Sequence, residues 1–133
     1  MIATVDTNVL VSATLFRGVP GRLMDSAIDR RFTLALSPAI LKEYEAVLSR
    51  SKFGLTVGAV DILVRDMESH AHIAHPTKQH KLILNDPDDN AVVDCAGEAA
   101  ADLIVSGDNH LISLGTIEGI PVVTPARFVE LIQ

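Results

Sequence analysis

Short runs of β-branched and aliphatic residues, each ended by a turn and followed by a helical pattern, constrain this chain most. Ile2-Ala3-Thr4-Val5 leads into Asp6-Thr7-Asn8, and Leu103-Ile104-Val105 leads into Ser106-Gly107-Asp108. Runs of this kind read as buried parallel strands joined by helices. Strands are expected at Ile2–Val5, 32–36, 70–74, Leu103–Val105 and Ile120–Val123. Helices are expected over 8–15, 22–29, a segment opened by Ser37-Pro38, 59–69, 88–100, 109–114 and a last one from Pro125. Gly18-Val19-Pro20-Gly21 should separate the first two helices. The alternation predicts a three-layer α/β/α domain with a mainly parallel sheet of about five strands. At 133 residues it is one domain spanning 1–133.

In open α/β sheets, ligands bind beyond the carboxyl ends of the strands, where strand order reverses. Asp6 and Asp108 each follow a predicted strand, and Asp89 opens an Ala- and Val-rich helix. Glu43 lies at the edge of the apolar stripe Leu41, Tyr44, Val47 and Leu48, with Glu45 on the other edge. Taken singly, an Asp at a helix start is explained by capping. Together the acids would repel one another unless a cation neutralised them. Oxygen donors of this kind suit Mg²⁺ or Mn²⁺. Such ions can activate water against a phosphodiester without a nucleophilic side chain, and the sequence holds no evident Ser/His/Asp or Cys/His arrangement.

The composition narrows the classes further. Apolar residues make up 48% and charged residues 21%, an ordinary globular balance. No apolar run approaches the roughly 18 residues of a membrane span, and the chain opens on a strand rather than a signal-type segment. The single cysteine, Cys95, cannot form an internal disulfide, so a cytoplasmic location is expected. A formal net charge of −6 argues against coating nucleic acid through a broad basic surface, though not against a metal-dependent nuclease. Arg17 and Arg22 flank the Gly18–Gly21 turn and are candidates for gripping an RNA backbone. His70, His72 and His75 lack a fourth ligand of zinc type and read as surface residues. His110 borders the expected cleft. Phe16, Phe32, Phe53 and Phe128 read as core or interface, and Cys95 as a small buried residue.

Val5-Asp6-Thr7-Asn8-Val9-Leu10 resembles the opening signature of PIN domains, metal-dependent ribonucleases that include VapC-type toxins. Ser37-Pro38 through Glu43-Tyr44 is similar to the segment carrying that family's second acid, which selects Glu43 over Glu45. Asp86-Pro87-Asp88-Asp89-Asn90 resembles the third acid region, and Ile104-Val105-Ser106-Gly107-Asp108 the fourth. The resemblance implies an endoribonuclease, the toxin of a toxin–antitoxin pair, with Mg²⁺ or Mn²⁺ held by Asp6, Glu43, Asp89 and Asp108. It further implies that Asn8 supports Asp6 and that Ser106 lines the pocket. Asp86, Asp88 and Asp94 lie close to Asp89 in the sequence as rivals for the third acid, and Asp94, a turn and a quarter beyond Asp89, can point to the same cleft. An RNA substrate, a cognate antitoxin protein, a homodimer and no membrane association complete its implications. Two alternatives are a scaffold of the same fold that binds RNA or protein without turnover, and a metal-dependent phosphatase. Asn8, two residues after Asp6, stands where haloacid-dehalogenase phosphatases use a second Asp.

Overall fold

The computed structural model describes residues 1–77 and 87–133, with the side chains of 87–89 outside that description. Its strands are β1 (Ile2–Val5), β2 (Thr33–Leu36), β3 (His72–Ile73), β4 (Leu103–Val105), β5 (Thr116–Ile117) and β6 (Ile120–Val123). The helices are α1 (Thr7–Leu15), α2 (Gly18–Ile28), α3 (Pro38–Leu48), α4 (Val57–Ser69), α5 (Pro87–Glu98), α6 (Asn109–Ser113) and α7 (Pro125–Ile132). The sheet runs β3-β2-β1-β4-β6-β5, with β5 alone antiparallel to its neighbour. Helices cover it as the two outer layers of an α/β/α sandwich. The central strands are therefore buried along nearly their whole length rather than alternating, because both their faces are covered. Leu103, Ile104 and Val105 are all buried, as are Ala3, Thr4 and Val5.

Strand order reverses at β1. The chain goes from β1 outward through β2 to β3, then returns to place β4 on the other side of β1. Thr4 pairs with Ala35 on one side and Ile104 on the other, and Val5 pairs with Val105. The ladder continues one residue further, with the Asp6 N–H donating to the Val105 carbonyl at 3.0 Å. The Ser106 N–H likewise donates to the Val123 carbonyl at 3.0 Å. The ends of β1 and β4 are thus locked side by side, and their following turns share one crevice.

The helix starts follow from side-chain caps. Asp6, Ser37, Thr56, Asp108 and Thr124 each accept a backbone N–H in the first turn of the helix that follows. Pro38 and Pro125 occupy first helical positions, where a missing N–H costs nothing. Ile40, Leu41, Tyr44, Val47 and Leu48 form the buried face of α3. Phe32 and Phe128 meet edge to face with ring centroids 4.8 Å apart, tying α7 to the approach of β2.

Several sequence expectations are corrected. Among the described residues the sheet has six strands rather than about five, because Thr116–Ile117 pairs with Ile120–Val123 across the Glu118-Gly119 turn. Both turn residues have positive φ, 51° and 80°, the geometry of a two-residue hairpin. The strand expected over 70–74 shrinks to two residues at the sheet edge. Helix α2 starts at Gly18 rather than residue 22: Pro20 is tolerated in a first turn, whose N–H groups lack helical partners anyway. Gly21 is buried in that turn, and a Cβ there would stand 3.1 Å from the Arg17 guanidinium carbon. Helix α4 begins two residues early because Thr56 caps it. Phe16 is 70% exposed, which removes the core half of its core-or-interface reading. Phe53 is half-buried beneath Lys52, whose ammonium lies 5.1 Å from the ring centroid.

Candidate active site at the strand-order reversal

Asp6 leaves β1 in an extended conformation (φ −70°, ψ 160°) and caps α1, its Oδ1 accepting the Val9 N–H at 3.0 Å. The Ser106 hydroxyl donates to Asp6 Oδ2 through a short hydrogen bond and accepts the Asp108 N–H at 3.0 Å. One buried hydroxyl therefore joins the turn after β1 to the turn after β4. Asp108 caps α6, with Oδ1 accepting the His110 N–H at 2.9 Å, and its side chain remains exposed to the crevice.

The electrostatics of this pair invite a cation. Burial pushes the Asp6 carboxyl above its ordinary value, since Asp6 is only 6% exposed. The Ser106 hydroxyl and the Val9 N–H pull it back, the Asp108 charge raises it again, and the Gly107 N–H lowers it. A buried carboxylate facing a second carboxylate holds its ionised form more readily when positive charge is supplied. Mg²⁺ and Mn²⁺ suit these hard oxygen donors, and Mg²⁺ is usually held by one or two carboxylates plus waters and substrate phosphates. The donor chemistry fits such an ion. Among the described residues, no group of three or more His, Cys, Asp or Glu side chains is placed to hold a metal.

The other candidate acids lie on helices α3 and α5. Glu43 is half-buried on α3, whereas Glu45 is exposed, so packing separates the two acids that periodicity left equivalent. Asp94 is half-buried on α5, and its charge reaches the neighbouring Cys95 thiol. Asp88 and Asp89 fall in the first turn of α5, their side chains outside the described residues, and Asp86 lies outside them altogether. Asn8, expected to support Asp6, sits on the rim of an open groove of about 400 Å³ beside the acids. Val9 and Ser12 of α1, Pro20, Gly107, Asp108 and Pro125 line the same groove. Sequence reasoning missed Ser12 and the two prolines. The signal for Ser12 was its four-residue spacing from Asn8, which places both on one helix face.

A PIN-domain family profile matches residues 3–110. This chain belongs to the PIN-domain family. PIN domains are generally nucleases. An uncharacterized protein of Methanocaldococcus jannaschii, MJ1680, is 29% identical over 114 residues, covering 83% of this chain and 72% of that protein. The fold is shared with the crystal structure of VapBC2 from Rickettsia felis bound to a DNA fragment from their promoter. There the TM-score is 0.68 at 17% identity, over 93% of this chain and 98% of that one. PAE2754 from Pyrobaculum aerophilum matches with a TM-score of 0.68 at 13% identity, over 99% and 89% of the two chains.

Within this PIN domain the remaining polar candidates have structural partners or open surroundings. Arg17 pairs with Asp25 at 2.7 Å, both exposed, and Arg22 is exposed on α2. His70 pairs with Asp66 one turn away at 3.4 Å, while His72 and His75 are exposed, in keeping with surface roles. Cys95 is fully buried, and burial pushes its thiol up to about 11. Among the described residues, no helix is long and apolar enough to cross a membrane.

Proposed function

We propose that this PIN domain is a Mg²⁺- or Mn²⁺-dependent endoribonuclease and the toxin of a toxin–antitoxin pair. The observation that carries the reading is the Asp6–Ser106–Asp108 bridge at the strand-order reversal. It puts two carboxylates where an α/β sheet binds ligands, with the buried one held ionised more readily by positive charge. Asp6 and Asp108 would hold the ion, with Glu43 from α3 and Asp89 from α5 completing the set and Asp94 supporting it. Bound there, a divalent cation supplies Lewis-acid stabilisation of the phosphodiester and a more acidic water. The protein's own work is orientation. Ser106 holds the Asp6 carboxylate in one rotamer and helps keep it ionised. The Val9 N–H, at the positive end of α1, offsets part of its charge.

The fold shared with the VapBC2 complex supports the toxin role and a cognate antitoxin as partner. A homodimer and a cytoplasmic location belong to the same reading. The test is cleavage of labelled single-stranded RNA with Mg²⁺ or Mn²⁺ by wild type, Asp6→Asn and Asp108→Asn. Metal-dependent cutting that falls by orders of magnitude in both folded variants is expected. Equal cutting by all three would assign the activity to a contaminant and sink the proposal.

A further inference from the structure

We propose that the groove beside the acids is a subsite for one unpaired nucleobase of a single-stranded nucleic acid. The proposal rests on the nuclease reading for the place of the adjoining phosphate, at Asp6 and Asp108. Its basis in the groove itself is separate. The volume of about 400 Å³ lies in the range of small-molecule pockets, roughly 300–1,000 Å³, and is far too small for a duplex. Among the described residues lining it, Asp108 is the one that is charged. None of them is cationic to hold a phosphate, and a neutral base needs no such partner.

The lining matches a base as well. Pro20 in the first turn of α2 and Pro125 at the start of α7 present apolar ring surfaces from two different helices. Val9 contributes a third apolar surface. Asn8 and Ser12, one helical turn apart on α1, bring an amide and a hydroxyl to the same groove. An amide supplies both a donor and an acceptor, the combination that base edges require. Seating a base in the groove requires it to leave its stack, which single strands allow and duplexes resist. With no aromatic side chain among the described residues lining the groove, stacking is weak and edge hydrogen bonds set the preference.

The test uses the full chain with a labelled single-stranded RNA of mixed sequence and the same RNA annealed to its complement. Binding is followed by fluorescence anisotropy with Ca²⁺ in place of Mg²⁺, and cut ends are then sequenced with Mg²⁺. Ser12→Leu fills the groove, and Pro20→Ala removes one lining ring at a helix position that accepts alanine; melting curves confirm that both fold. Wild type is expected to prefer the single strand. Each variant should bind it more weakly, by roughly tenfold for Ser12→Leu, and lose base preference at one position adjoining the cut. Unchanged affinity and unchanged base preference in both folded variants would overturn the subsite while leaving a cutting wild type as a nuclease. Binding that depends on Ser12 without any cutting would uphold the subsite and overturn the nuclease reading. A wild type that prefers the duplex would overturn the subsite as well.

Discussion

Replacing Ser106 with alanine removes the one hydroxyl that touches both strand-end turns. Ser106 has no exposed surface, so water cannot take the place of its oxygen. Where the Asp6 carboxyl is ionised, the bond has a charged acceptor, and such bonds contribute about 1.5–3 kcal/mol. The Asp108 N–H also loses its acceptor, at a further cost of about 1 kcal/mol in this half-buried position. The variant should therefore lose about 2–4 kcal/mol at neutral pH. At roughly 3–5 °C per kcal/mol for a domain of this size, the melting temperature should fall by about 10 °C. The loss should depend on pH in a definite direction. Burial raises the Asp6 carboxyl above 3.8, so the folded protein binds that proton more tightly than the unfolded chain. Its contribution to stability is present in full below 3.8 and is lost as pH climbs through the raised folded value. The Ser106 bond is the largest influence holding Asp6 down, so Ser106→Ala drives the carboxyl further up. The gap between wild type and variant then widens as pH rises, and narrows in acid toward the roughly 1 kcal/mol of a neutral bond. Urea denaturation in chelator, at neutral pH and again close to 3.8, measures both limits. A loss under about 1 kcal/mol at neutral pH, or one that does not change with pH, would refute the reasoning.

Three other outcomes are expected. Mg²⁺ or Mn²⁺ should raise the melting temperature of wild type at neutral pH and do so less in acid, where protons compete for Asp6. Scanning calorimetry that finds the same shift in Asp6→Asn would remove Asp6 from the ligand set. Phe128→Ala should cost about 3–5 kcal/mol in equilibrium unfolding, because Phe128 is fully buried and loses its edge-to-face contact with Phe32; a loss below about 1 kcal/mol would contradict that packing. Cys95 should resist alkylation in the native protein at neutral pH and react on unfolding, since its thiol is buried and pushed up to about 11. Rapid native labelling, read by mass spectrometry, would show the helix to be more open than described.

Much of the architecture was legible because its causes are local. The runs Ile2–Val5, Leu103–Val105 and Ile120–Val123 are strands within their expected bounds. Ser37-Pro38 and Thr124-Pro125 open helices through caps that need no tertiary partner. Two-residue strands such as Thr116–Ile117 carry no periodicity to read, and the ladder with β6 alone makes that segment a strand. The early start of α2 was hidden by Pro20 and Gly21, residues that punctuate loops in general but are acceptable in a first helical turn.

The chemistry divides along the same line. Carboxylates following strands, hard oxygen donors and the PIN-like motifs were all present in the residue string, because residue type and spacing carry them. The string could not say that Ser106 joins Asp6 to Asp108, since that bond spans a hundred residues of sequence. It exists because β4 returns to pair beside β1, a result of strand order that no local pattern encodes. Periodicity left Glu43 and Glu45 equivalent, and packing of α3 half-buried one and exposed the other. The groove lined by Pro20 and Pro125 likewise needs α2 and α7 to converge beside α1. Sequence determined which groups were available and where each element began. Tertiary structure alone decided which of them meet and how deeply they are buried, because both depend on contacts between segments distant in the chain.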